Sequence, residues 1–368
     1  MDTGRVTATA VGSMPGEDFG EAVRLVLGEL PELPHLPELP ARGITAGITG
    51  RTLAVITGLG FDLQPAGWRL TDASGVDHRR ARSLLAQDLD TFEELAAGYC
   101  GDLKVQLAGP WTLAATVERP RGDRLVADVG ARREVAQALA DGLGEHLRDL
   151  GRRVPGARLL VQLDEPVLPA VLSAGIPTAS GFGRHRSVKP PEASNALETC
   201  FEAIAAAGAS SVAHCCAGEI PIALLIGAGA GGVSLDLDVL STESFDALGA
   251  AIDEGARIFL GVVPATDPVN LPTLKKVTER VKRTLDMIGF DPEEIAGQLV
   301  LTPACGLAGA TPGYARAALS LVRESAARLS GDFYHGPVRR RSVRDDRFPG
   351  AVGRHLFVTD VEEHPEQQ

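Results

Sequence analysis

One rhythm runs along this chain from its first residues to about position 330: a short β-like apolar run, a longer stretch of helical periodicity, then another run. The runs are Val6–Val11, Leu103–Leu107, Leu159–Leu163, Ser211–Cys215, Gly232–Asp236, Ile258–Val263 and Leu299–Thr302, with an eighth expected near Phe61–Leu63 or Trp68–Leu70. Helical patterns fill the intervals, among them Asp18–Leu30, Gly75–Ala97, Ala131–Arg153, Glu192–Ala207, Ser241–Glu254 and Leu271–Ile288. Such runs have no solvent-facing side and need helices packed on them, which is how parallel βαβ units are built. Seven or eight units without a boundary predict a single α/β domain, a (β/α)8 TIM-type barrel over residues 1–335. Residues 336–368 are rich in Arg, Asp and Glu, and are expected to form a partly disordered tail.

A doubly wound sheet shares this alternation. Its Gly-rich dinucleotide fingerprint is absent, however, and Gly12-Ser13-Met14-Pro15-Gly16 follows the first run instead. The residues able to do chemistry also fall where a barrel puts them. Ser13, Gly109, Asp164, His214, Asp236 and Cys305 each end or follow a predicted strand, and barrel enzymes work at the C-terminal ends of their strands.

Several function classes drop out on composition. A net charge of −12 offers no basic face for a phosphate backbone, so no nucleic-acid partner is expected. No apolar stretch reaches the roughly 18 residues of a membrane span, and no signal segment opens the chain. Five cysteines without framework spacing argue against a disulfide-stapled secreted protein and for a reducing cytoplasm. Local basic clusters at Arg119–Arg124, Arg184–Lys189 and Arg339–Arg344 read as solvated surface, although the first two sit in loop-like sequence. Pro31, Pro34, Pro37 and Pro40, evenly spaced within Leu30–Arg42, predict an extended wall or lid.

The cysteines carry more than compartment. In the run ending His214-Cys215-Cys216, side chains alternate faces, so His214 and Cys216 share one and Cys215 takes the other. Asp236 and Cys305 stand at the ends of two further runs. Each alone reads as an ordinary core residue. Together, two soft sulfurs, an imidazole and a carboxylate at coinciding strand ends are a tetrahedral zinc set, with His214, Cys216, Asp236 and Cys305 as its candidates.

With this set in place, the chain resembles the C-terminal catalytic barrel of the cobalamin-independent methionine synthase family over roughly residues 3–330. That family's zinc site combines a His-x-Cys pair, a glutamate some two dozen residues on, and a cysteine in a Cys-Gly-Leu context. Here the order is His214 and Cys216, then Asp236 in the glutamate's place, then Cys305-Gly306-Leu307. The aspartate is one methylene shorter, and is expected as a fourth or displaceable ligand. Gln162-Leu163-Asp164-Glu165-Pro166 is similar to the family's Gln-Ile-Asp-Glu-Pro, which implies that Asp164 holds the substrate's amino group. Gly12-Ser13 is similar to its Ile-Gly-Ser, which implies that Ser13 contacts the substrate carboxylate. Gly109-Pro110-Trp111-Thr112 matches a segment shared with uroporphyrinogen decarboxylases and supports the fold without choosing the reaction; Trp111 either lines the pocket or packs.

The resemblance implies a zinc-dependent methyltransferase acting on a small-molecule thiol, homocysteine, with 5-methyltetrahydrofolate or a methylcorrinoid protein as donor. Two departures bear on the donor. The family's proton-transfer histidine after the sixth strand has no counterpart in Gly261–Asp267, where Asp267 is the acid that could replace it. The aromatic that stacks on folate is replaced by Ala115 and Thr116. Rival readings are a zinc alkyltransferase acting on coenzyme M, a metal-free uroporphyrinogen-decarboxylase-like enzyme using Arg42 and Arg184, and a non-catalytic zinc-binding protein.

Overall fold

The computed structural model describes residues 4–331. Nine strands form among them: β1 (Thr7–Ala8), β2 (Gly60–Gln64), β3 (Gly67–Thr71), β4 (Gly101–Ala108), β5 (Ala157–Asp164), β6 (Ser210–Cys215), β7 (Gly232–Asp236), β8 (Arg257–Val263) and β9 (Leu299–Pro303). Seven make one all-parallel sheet in the order β1, β9, β8, β7, β6, β5, β4. Helices follow the strands, as crossovers between parallel neighbours require. Their starts are written locally. Asp18, Asp128, Thr273 and Thr311 each accept an N–H of the first turn with the side chain, beginning helices Phe19–Glu29, Val129–Arg153, Leu274–Ile288 and Pro312–Leu329.

The sheet is curled. Leu33, Leu160, Val212, Phe259 and Val300 form an apolar cluster of their own, separate from the large core between sheet and helices. They come from β5, β6, β8, β9 and the segment before β2, and they alternate with residues such as Val161, Ala213 and Leu301 that face the helices. Side chains from strands so far apart meet only if the sheet bends round its inner face. On that face the floor is apolar. Toward the strand C-termini it turns polar, with Gln106, Gln162, Asp164, His214, Ser234 and Thr302 all buried.

Both sheet edges are engaged by the proline-spaced segment. Leu36 N–H donates to Lys104 O and Lys104 N–H to Pro34 O, both at 2.9 Å, on the β4 side. Glu38 N–H donates to Gly12 O at 3.2 Å and Met14 N–H to Glu38 O at 2.8 Å, just after β1. Residues 33–39 are buried throughout, so the segment is extended as expected but is an interior element and not a lid. The eighth strand expected near Phe61–Leu63 or Trp68–Leu70 does not join the sheet. Those residues pair with each other as the antiparallel β2–β3 hairpin. Their apolar residues alternate, which marks a one-faced hairpin and not a doubly covered strand.

Among the described residues no helix is long and apolar enough to cross a membrane. The segment from residue 336 onward lies outside the described residues.

Candidate metal centre

β6 delivers His214 to the inner face one residue before its end, and Cys216 follows on the same side, while Cys215 is buried away from it. Cys305 lies two residues beyond β9. One ligand atom from each of His214, Cys216 and Cys305 lies within 4.8 Å of the other two. All the cysteines in the chain are free.

His214 is oriented by its neighbour strand. Its Nδ1 is 2.9 Å from Ser234 Oγ on β7, in direct register. Its Nε2 is buried and has no hydrogen-bond partner. An orphaned ring nitrogen beside two thiols, with the other nitrogen tied by a hydroxyl, is how metal-ligating histidines are held. The sulfurs of Cys305 and Cys216 are 3.1 Å apart. The hydrogen bond between them holds Cys305 well below the ordinary thiol range and pushes Cys216 above it. The two thiols are therefore coupled, and a proton lost from either is shared across the contact. Two soft sulfur donors and a free imidazole nitrogen fit a zinc ion.

Asp236 stands apart from this trio. It ends β7 half-buried, and its Oδ1 accepts the Asp238 N–H at 2.8 Å. Burial raises its carboxyl above the usual range. Close packing behind the site comes from Gly261 on β8, where a Cβ would lie 2.7 Å from Ala304 Cα and 2.8 Å from Leu235 O. Ser13 packs on the Cys305 loop: Leu307 N–H donates to Ser13 O at 2.7 Å, and a Cβ on Gly306 would strike Ser13 Oγ.

Asp164, the last residue of β5, is in register with His214. It is buried, which pushes its carboxyl up, and it accepts from Gln162 Nε2 at 2.7 Å. Glu165 has a different task. Its carboxylate accepts the N–H groups of Trp111 at 2.9 Å and Thr112 at 2.7 Å, capping helix Pro110–Thr116 from a distant loop. A Cβ on Gly109 would run into that carboxylate, so the Gly109-Pro110-Trp111-Thr112 and Asp164-Glu165-Pro166 motifs are two halves of one joint. Trp111 faces outward from it. Its Nε1 donates to Ala193 O at 3.0 Å, and its ring borders a cavity of about 460 Å³ between helices Val129–Arg153 and Pro190–Ala206.

Asp267 is exposed and accepts from Thr311 Oγ1 at 2.6 Å and Thr311 N–H at 2.8 Å. Those bonds hold its carboxyl below the ordinary range, which makes it a poor proton donor. Arg42 is bound at both guanidinium nitrogens by Asp88, at 2.8 and 2.7 Å, and Arg184 donates to Gly175 O. Arg42 is thus committed to a carboxylate, whereas Arg184 is exposed.

Residues that sequence reasoning passed over are Lys104, Gln106 and Glu38, all buried. The first two had a signal, since polar residues at alternate positions of an otherwise apolar strand mark one special face. Glu38, inside a proline-rich stretch, had none.

The profile of the family described as cobalamin-independent synthase, catalytic domain, matches residues 101–328. Among solved structures, a B12-independent methionine synthase from Shewanella sp. W3-18-1 in complex with selenomethionine is similar at a TM-score of 0.57. The two are 13% identical, over 89% of this chain and 98% of that one. GH5_18 from Streptomyces cattleya in complex with GlcNAc is similar at 0.43 and 14% identity, over 90% and 82% of the two chains. At such identities the likeness is one of fold. No curated protein matches the chain.

Proposed function

The chain belongs to the cobalamin-independent synthase catalytic-domain family, and from that premise we propose that it is a zinc-dependent thiol methyltransferase whose acceptor is homocysteine. The observation that carries this reading is the unpartnered, buried Nε2 of His214 facing the sulfurs of Cys216 and Cys305. His214, Cys216 and Cys305 would hold the metal, with Asp236 at the end of β7 as the candidate fourth donor. Bound zinc supplies a Lewis-acidic centre that keeps an arriving thiol deprotonated at neutral pH.

The rest falls to the chain's own residues. Asp164 takes the substrate ammonium by a charge-assisted hydrogen bond; Glu38, whose carboxyl is itself pushed up by burial, lies close enough to raise that of Asp164 further. Ser13 takes the carboxylate. The thiolate sulfur attacks the methyl carbon, an S–C bond forms, and the donor's bond to methyl breaks with its electron pair leaving on the donor. A tetrahydrofolate leaving group needs a proton at nitrogen, and Asp267 is engaged as an acceptor by Thr311. This favours a methylcorrinoid, whose leaving group departs without one. We further read the 34–38 segment as the eighth stave of a closed barrel, residues 1–335 as the catalytic unit, and Trp111 as a packing residue.

The test begins with metal analysis of the purified protein and of His214→Ala. Methylation of homocysteine and of coenzyme M is then followed by mass spectrometry, with methylfolate or methylcobalamin as donor. Absence of zinc from the native protein, or unchanged zinc in His214→Ala, refutes the reading. Methylated coenzyme M in place of methionine moves it to the rival thiol.

A further inference from the structure

Lys104 lies on the inner face of β4 and is completely buried. Its Nζ donates to Val11 O at 2.7 Å, Gln162 Oε1 at 2.9 Å and Gln106 Oε1 at 3.2 Å. All three of its donors are used, and none meets a carboxylate. A buried cation without a carboxylate in contact is costly to a fold. The two carboxylates whose charge it feels are Asp164 and Glu38. Asp164 is reached through Gln162, and Glu38, which also faces Arg51, through the segment that Gln106 holds.

Gln162 shows how the connection works. An ammonium cannot accept a hydrogen bond, so the Gln162 atom facing Lys104 must be the amide oxygen. The amide nitrogen is thereby turned toward Val11 O, at 2.9 Å, and Asp164 Oδ1, at 2.7 Å. With a neutral, apolar residue at 104, the amide could flip and present its oxygen to the carboxylate. Gln106 is set in the same way. Its oxygen is held by Lys104, and its nitrogen donates to Leu36 O on the segment that carries Glu38.

We propose that Lys104 is a positioning residue that sets both glutamine amides, and so presents the Asp164 and Glu38 carboxylates to the amino group of the substrate. This rests on the homocysteine reading above. It adds that recognition of the ammonium is organised by a cation which never touches the substrate, and that specificity for an amino-acid thiol depends on the orientation of two amides.

The experiment compares homocysteine with 4-mercaptobutanoate, which keeps the thiol and carboxylate and lacks the amino group. Dissociation constants are measured by calorimetry on the zinc-loaded full chain for the native protein, Lys104→Met, Gln162→Met, the double variant and Asp164→Asn, with zinc content determined for each. Lys104→Met is expected to weaken homocysteine by about tenfold to a hundredfold, the scale of a buried hydrogen bond to a charged group. It should change 4-mercaptobutanoate by less than about twofold and leave zinc content unaltered. Gln162→Met should reproduce that selective loss, and the double variant should add little, because both act through one amide. Should Lys104→Met fail to fold, Gln162→Met alone decides. Equal losses on both thiols, or no loss on either, overturn the proposal. If Asp164→Asn shows the selective loss and the other variants do not, the homocysteine reading stands and the role of Lys104 is refuted. If the native protein does not distinguish the two thiols, the homocysteine reading itself fails.

Discussion

The loops after β6 and β9 and the loop after β8 leave the same end of the sheet, and they are built on opposite principles. His214, Cys216 and Cys305 sit at or just beyond strand ends, half-buried or buried, with one nitrogen left without a partner. Asp267 is exposed, fully engaged by Thr311, and followed closely by Val269 with its whole side chain in solvent. The difference separates residues prepared to bind something from residues that hold a loop in place. Unsatisfied polar atoms inside a fold cost stability and persist where a ligand completes them. A carboxylate with two good donors is already complete.

The sharpest way to break this contrast is to remove its centre. His214→Ala should lose bound zinc and, with it, thiol methylation altogether, as read by elemental analysis and product formation. Ser234→Ala leaves the ligands in place but frees the ring that Ser234 holds. Zinc affinity should fall by about tenfold to a hundredfold, measured by competition with a chelator. Glu165→Ala probes scaffold beside site, since its neighbour Asp164 lies in register with His214. Two N–H groups at the start of helix Pro110–Thr116 lose their acceptor, so stability should drop by about 1–3 kcal/mol in chemical denaturation while zinc content holds. The smallest effect belongs to the exposed loop. Asp267→Asn should leave methylation within about twofold, and a larger loss would show that this loop takes part in proton transfer. Its carboxyl titrates below the ordinary range, so its small contribution to stability is present above about pH 4 and is lost as pH falls through the lowered value. Acid unfolding curves of the variant and the native protein should accordingly converge at low pH.

What the sequence made legible was whatever depends on alternation within one strand. His214 and Cys216 share a face because they are two residues apart, and Cys305 was marked by the end of its run. Asp164 was marked by its motif. The opposite roles of Asp164 and Glu165 were hidden, because the helix that Glu165 caps lies more than fifty residues earlier in the chain. Trp111 was hidden likewise, since either face of its short helix could have held the ring. The eighth position of the sheet was misplaced for a plainer reason. Pro34 and Pro37 lack the N–H of a regular ladder, so the segment bonds to each edge at single residues only, and nothing in its pattern resembles a strand. The β2–β3 hairpin had the better strand composition and the wrong partner.

The contact between Ser13 and Gly306-Leu307 joins the first strand of the described chain to the last. During synthesis the residues that meet there are made some three hundred positions apart, and Cys305 emerges only just before the second of them. A ribosome-bound fragment ending before Cys305 therefore lacks one of the two sulfurs of the trio and has an open seam. On the proposed zinc reading, metal loading would be a late event in the life of the molecule, and a bound ion would report that the sheet had been translated to its final strand.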